Sequence, residues 1–134
     1  MFDFWVGDWQ ASWINSNGSR GRGRNRITKS LGGGVIEENF EEAPESSPSP
    51  LLGKSLSVLE KASSRWRQTW VDNQGRFIVL RGSQDGDKRI FTTDMTERAG
   101  KLTVQRMVFH SITKDAFVWD WEGSTDGGTS WKRA

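Results

Sequence analysis

The sequence has no cysteine and no tyrosine, a single histidine, and three prolines confined to one short segment. Without cysteine there is neither a disulfide framework nor thiolate chemistry. With one histidine besides, a zinc site built from His and Cys cannot be assembled from this chain alone, and no metal ligands are expected. No run approaches the roughly 18 apolar residues of a membrane span. Charge of one sign is scarcely in excess: the formal net charge of +2 is too small to argue for a polyanionic partner. Hydrophobic residues make up only 34% of the chain, a fraction that taken alone leans toward disorder.

Eight Trp and seven Phe lean the other way. Each such ring buries roughly 150 to 250 Å² when packed, so the chain is expected to fold around aromatic side chains. A length of 134 residues suits a single domain spanning residues 1–134. Met1 is followed by "FDFWVGDW", with neither a basic nor an apolar leader segment, and the expectation is a soluble, cytoplasmic protein.

No segment keeps a helical period for long, whereas short alternating runs recur between Gly, Asn, Asp and Pro clusters. Strands are predicted near Asp8–Ile14, Arg24–Ser30, Val35–Glu41, Leu52–Leu59, Arg65–Asp72, Phe77–Gly82, Lys88–Asp94, Leu102–Ser111 and Ala116–Glu122, with a stub at Trp131–Arg133. The links "SNG", "LGGG", "DNQG", "DGD", "RAG", "TKD" and "TDGG" are short enough for antiparallel hairpins and too short for parallel crossovers. "EEAPESSPSP", Glu41–Pro50, is the one long connection and reads as a mobile loop. The fold expected is all-β: an antiparallel up-and-down (meander) barrel of about 8 to 10 strands, with room for side chains and one small ligand. The basic run "SRGRGRNR" reads as a Gly-containing turn feeding a strand with exposed Arg. The alternative makes Arg20–Arg26 the contact of a structural or interaction module with an acidic partner; nucleic acid is not the expected partner.

The N-terminal "FWVGDW" places Gly7 and Trp9 ahead of the first strand as in lipocalin and wider calycin barrels. Together with "NRITKSLGGGVIEENF", "GKSL", "RWRQTWVDNQG" and "STDGGTSW", it makes nearly the whole chain resemble a bacterial family of lipocalin-like (calycin-type) β-barrel proteins of unknown function. The resemblance implies the barrel, a tight Gly7 lead-in, Trp9 at the base and a late basic side chain, here Arg133, packed over it. It implies no particular activity. The chain stops at "WKRA" where relatives continue into a closing strand, so incomplete closure or a homodimer is an expectation. Ser124, Asp126, Gly128 and Trp131 match the Asp-box hairpin pattern of sialidase propellers. One copy and the absence of tyrosine point to a turn, not to an active site.

Alternation places Trp66, Gln68 and Trp70 on one face, Glu38 with Ile36 and Phe40, and Asn25 with Ile27. In the strand after Lys101 two sets compete: Leu102, Val104, Arg106, Val108 and His110 against Met107 and Phe109. If the first set is lumenal, Arg106 and His110 join Glu38, Gln68, Asn25 and Trp70 as ligand-binding residues for a small, largely apolar or amphipathic molecule. The competing reading is a buried Glu38–Arg106 ion pair completed by Gln68 and Asn25. Trp119 and Trp121, with Phe117, read as barrel wall. No resident cofactor is expected; haem held by His110, or acid–base catalysis by His110, are the alternatives. No nucleophile-elbow motif supports Ser-His-Asp hydrolysis. Small-molecule binding is therefore the expected function, with enzymatic activity the lesser reading and catalytic residues unassigned.

Overall fold

The computed structural model of the chain describes every residue from Met1 to Ala134. It is an all-β antiparallel meander: β1 (Gly7–Ile14), β2 (Arg20–Ser30), β3 (Val35–Glu42), β4 (Leu52–Glu60), β5 (Arg65–Asp72), β6 (Phe77–Asp85), β7 (Lys88–Thr93), β8 (Thr96–Arg98), β9 (Lys101–His110), β10 (Val118–Ser124) and β11 (Lys132–Arg133). The strands follow one another in chain order through the sheet, with β8 hairpinned onto β9 off the main path. Short 3-10 turns occupy Asp3–Trp5, Leu31–Gly33 and Pro44–Ser46. No helix is long and apolar enough to cross a membrane.

Contacts divide the chain into two compact units. The first comprises Trp5–Val58 and Thr69–Ile78; the second comprises Met1–Phe4, Leu59–Gln68 and Val79–Ala134.

In the first unit, the basic run proves to be strand from Arg20 onward, not turn. The turn is Asn15–Ser19, closed by Asn15 N–H donating to Ser19 O over 2.8 Å. Arg20, Arg22, Arg24 and Arg26 alternate outward, while Gly21 and Gly23 lie on the opposite face. The glycines are there for space: a Cβ at Gly21 would collide with the Trp13 indole, and one at Gly23 would stand 2.7 Å from Glu41 O. Arg24 grips Asp8 with two hydrogen bonds, Nε to Oδ1 at 2.9 Å and Nη2 to Oδ2 at 2.6 Å. The Glu41–Pro50 connection, expected to be mobile, is pinned to β2: Ala43 N–H donates to Arg22 O and Arg22 N–H to Ser46 Oγ.

Gly7 has φ +157° and sits against the Trp9 indole, whose Nε1 donates to Trp5 O at 2.7 Å. The Gly7-x-Trp9 pattern thus folds the indole back over the 3-10 turn before β1. Trp5, Ile27 and Ile36 of this unit are buried.

The second unit packs around rings. Phe2 stacks on Phe91 at 4.4 Å and meets Trp66 edge-on at 5.3 Å, and Phe109 contacts Phe91, Phe4 and Phe117. Such pairs add about 0.5 to 1.5 kcal/mol each beyond their buried area. The Asp-box stretch is a hairpin turn here. Asp126 Oδ1 accepts from the backbone N–H of Thr129 and Ser130 and from Ser124 Oγ; Ser124 Oγ accepts from Gly128 N–H. Gly128 takes φ +91°, and Trp131 Nε1 donates to its carbonyl at 3.1 Å. Hydrogen bonds from Ser130 Oγ first, then from Ser130 N–H, Ser124 Oγ and Thr129 N–H, hold the Asp126 carboxyl well below the ordinary carboxylate range. Arg133 gives its Nη1 to Asp120 Oδ1 at 3.2 Å and is 72% exposed.

Candidate functional site

The most unusual group in the first unit is a buried carboxyl. Glu38, at the middle of β3, lies between Ile27 of β2 and Ser55 of β4 in the strand register, and only 5% of it is exposed. Ser55 Oγ donates to Glu38 Oε1 at 2.6 Å, and Asn25 Nδ2 donates to Oε2 at 2.8 Å. Burial pushes the Glu38 carboxyl up from its ordinary value, and these two donors offset only part of that. No ion pair compensates it: the guanidinium expected here, Arg106, belongs to Glu122, with Nε to Oε1 at 2.6 Å. Asn25 spends its amide N–H on Glu38, while its Oδ1 is buried without a hydrogen-bond partner. An orphaned buried acceptor costs roughly 1 to 3 kcal/mol, so a donor supplied from outside the chain would be rewarded there.

Aromatic residues border these polar groups. Asn25 faces Trp9 across β1 and Phe40 across β3. Phe40 in turn contacts Trp13 at 5.9 Å and Trp70 at 6.5 Å between ring centroids. Trp9, Trp13, Phe40 and Trp70 are all only half-buried. Three indoles have already committed their single donor: Trp9 to Trp5 O, Trp13 to Asn15 Oδ1 at 3.0 Å and Trp70 to Asp72 Oδ2 at 2.9 Å. What they offer to this face is therefore ring surface. Trp70 is further fixed because Asp72 is tied to the following turn by Gln74 N–H, Arg76 N–H and Arg76 Nε.

Strand β4 makes room for the Trp70 ring at Gly53 by alternating against hydrophobicity. Gly53, Ser55 and Ser57 share the face of Glu38, while Leu52, Leu56 and Val58 point outward and are exposed. Sequence reasoning did not find Ser55. Its signal was the row of small residues at alternate positions, which leaves room for bulky neighbours and not for apolar packing.

The remaining expected ligand residues belong to the second unit and do not form one site. Gln68 is 4% exposed and shares its face of β5 with Trp66. Trp66 packs on Gly82, Gly82 pairs with Phe91, and Phe91 pairs with Met107, so that face carries Met107 and Phe109. Arg106 and His110 lie on the other face, with Ile90, Val108, Asp120 and Glu122. The expectation that Arg106 and His110 join Gln68 is thus overturned. Alternation could not decide it because β9 is apolar on both faces: Val104 and Val108 are buried on one, Phe109 on the other. Arg106 also lies over the Trp131 ring at 3.9 Å. His110 has both ring nitrogens engaged, Nε2 with Asp120 Oδ2 at 2.8 Å and Nδ1 with Ser111 Oγ at 3.0 Å, which leaves neither for a haem iron.

The first unit thus holds a buried polar cluster of Asn25, Glu38 and Ser55, with the half-buried rings of Trp9, Trp13, Phe40 and Trp70 in the same unit. No known family pattern matches the chain, and no protein of curated function matches it significantly.

Proposed function

We propose that this protein is a lipocalin-like (calycin-type) barrel that binds one small, largely apolar molecule, oriented by Asn25 and Glu38 against the rings of Trp9, Phe40 and Trp70. The observation that carries this reading is the buried Asn25 Oδ1 without a donor, beside a buried carboxyl and half-buried aromatic rings. Few polar groups converging among apolar walls is the composition of a small-molecule site. A folded core that served packing alone would gain by replacing these groups with apolar ones. The ligand's polar end is a hydrogen-bond donor, an amide N–H or a hydroxyl, because the unfilled valence is an acceptor.

The test is a titration of the protein with the neutral dye Nile red, followed by dye emission and tryptophan quenching. A saturable one-to-one curve that weakens in Asn25→Ala and in Trp70→Phe supports the reading. Emission that stays linear with protein, or a curve unchanged from wild type in both variants, refutes it.

A further inference from the structure

The single histidine belongs to a second constellation, in the second unit and apart from Glu38 in chemistry. Strand β9 ends at His110, and Ser111 follows in the left-handed region at φ +51°, a conformation strained for a non-glycine residue. The turn brings Ser111 Oγ to 3.0 Å from His110 Nδ1, and the register with β10 brings Asp120 Oδ2 to 2.8 Å from His110 Nε2. Arg133 Nη1 holds the other oxygen of Asp120 at 3.2 Å. Burial raises the Asp120 pKa, but the hydrogen bonds from His110 and Arg133 outweigh it and the carboxyl lies below its ordinary value. An ionised Asp120 fixes the imidazole as the Nε2–H tautomer. Nδ1 is then the unprotonated nitrogen that accepts from the Ser111 hydroxyl.

Ser111 is exposed and lines a hollow of about 500 Å³ with Phe4, Ile112, Asp3, Asp87 and Arg89. Arg89 donates Nε to Met1 O and Nη1 to the carbonyls of Gly86 and Lys88, so Nη2 is the end left over. Phe4 and Ile112 give the hollow apolar wall, while Asp3 and Asp87 disfavour an anionic substrate.

We infer that Ser111, His110 and Asp120 act as nucleophile, general base and positioning carboxylate in the hydrolysis of small neutral carboxylic esters. Ser111 Oγ bonds to the ester carbonyl carbon as its proton passes to His110 Nδ1. The carbon–alkoxide bond then breaks, and the alcohol leaves with that proton. Water attacks the acyl-Ser111 ester, gives its proton to Nδ1, and the acid departs as Ser111 Oγ recovers the proton. Arg89 Nη2 is the donor available to the carbonyl oxygen as it gains charge.

The full chain is treated with an alkyl fluorophosphonate, which bonds phosphorus to a nucleophilic serine with loss of fluoride, and is read by intact mass and peptide mapping. p-Nitrophenyl acetate turnover is followed in parallel. One adduct on Ser111 is expected, absent in Ser111→Ala, unchanged in Ser64→Ala, and formed about 100-fold more slowly in His110→Gln. Ser64 is the control because it is exposed at φ +56° yet has no imidazole beside it. Should His110→Gln fail to fold, Asp120→Asn serves: labelling slows and the ring ¹⁵N signals of the sole histidine move away from the Nε2–H pattern expected in wild type. No adduct at Ser111, or equal labelling in wild type and a folded His110→Gln, overturns the inference.

Discussion

The indole of Trp70 occupies the space that a Cβ at residue 53 would need, so Gly53 on β4 is the complement of Trp70 on β5. Trp13 stands in the same relation to Gly21, and the Phe2 ring, with the Trp66 Cβ, to Gly82. Each large ring is received by a glycine where the strand would otherwise carry a side chain. Adding a methyl to so tight a contact forces a ring or a strand to move. Gly53→Ala is therefore expected to destabilise the protein by about 1 to 3 kcal/mol in urea unfolding. Gly123→Ala is the contrast: nothing lies within 4 Å of its Cβ position, and no loss is expected. Equal stability of wild type and Gly53→Ala would mean that the indole is free to leave Gly53.

Glu38 sets the response to pH on the alkaline side. Its folded pKa is raised, so the folded state holds the proton more tightly than the unfolded state. The stability this group contributes is complete below its ordinary value of 4.5 and is lost as pH rises through the folded value. Glu38→Gln carries no charge to bury, and its amide can donate to Asn25 Oδ1. The variant should match wild type in acid and exceed it in thermal stability at neutral pH. A wild type that remains the more stable at pH 7 would show that Glu38 is held as a compensated anion.

Asp72 acts in the opposite direction. Burial raises its pKa, but donors from Trp70, the Arg76 and Gln74 backbone and the Arg76 side chain bring it down from 3.8 to about 2. Its contribution is present above 3.8 and is lost as pH falls toward 2. Asp72→Asn should be less stable than wild type at neutral pH, with the gap closing across that interval. A gap that does not change with pH would remove the carboxylate from the account of the β5–β6 turn.

The Asp-box hairpin is a local unit, and its loss should read locally. In Asp126→Ala, amide hydrogen exchange of Thr129 and Ser130 should accelerate, because their N–H groups donate to Asp126 Oδ1. Uniform acceleration across β9 and β10 would instead make the turn a global determinant.

Much of this architecture was legible because hairpin chemistry and alternation are local. The β5 bounds agree with the sequence pattern, as do the faces of Glu38 and Asn25 and the turn role of Ser124, Asp126 and Gly128. Three features were not legible, each for a physical reason. Arg20–Gly23 resembles a turn by composition, yet its glycines are inward strand positions, Gly21 emptied for the Trp13 ring and Gly23 for the close backbone of β3. β9 has apolar side chains on both faces, so only its pairing with β7 shows which face carries Arg106 and His110. Ser111 meets His110 because a left-handed residue follows β9, and Asp120 meets His110 through the register of β10, neither of which is written in spacing.

The central claim is that the surface around Asn25 and Glu38 holds a small molecule. Native mass spectrometry of the wild-type protein as purified from cells tests it most directly. The account expects a stoichiometric extra mass on wild type, released on mild collisional activation and depleted in a folded Asn25→Ala variant. A bare chain in both samples, together with no one-to-one uptake of Nile red, would contradict it and leave Glu38 and Asn25 as interior polar groups without a guest.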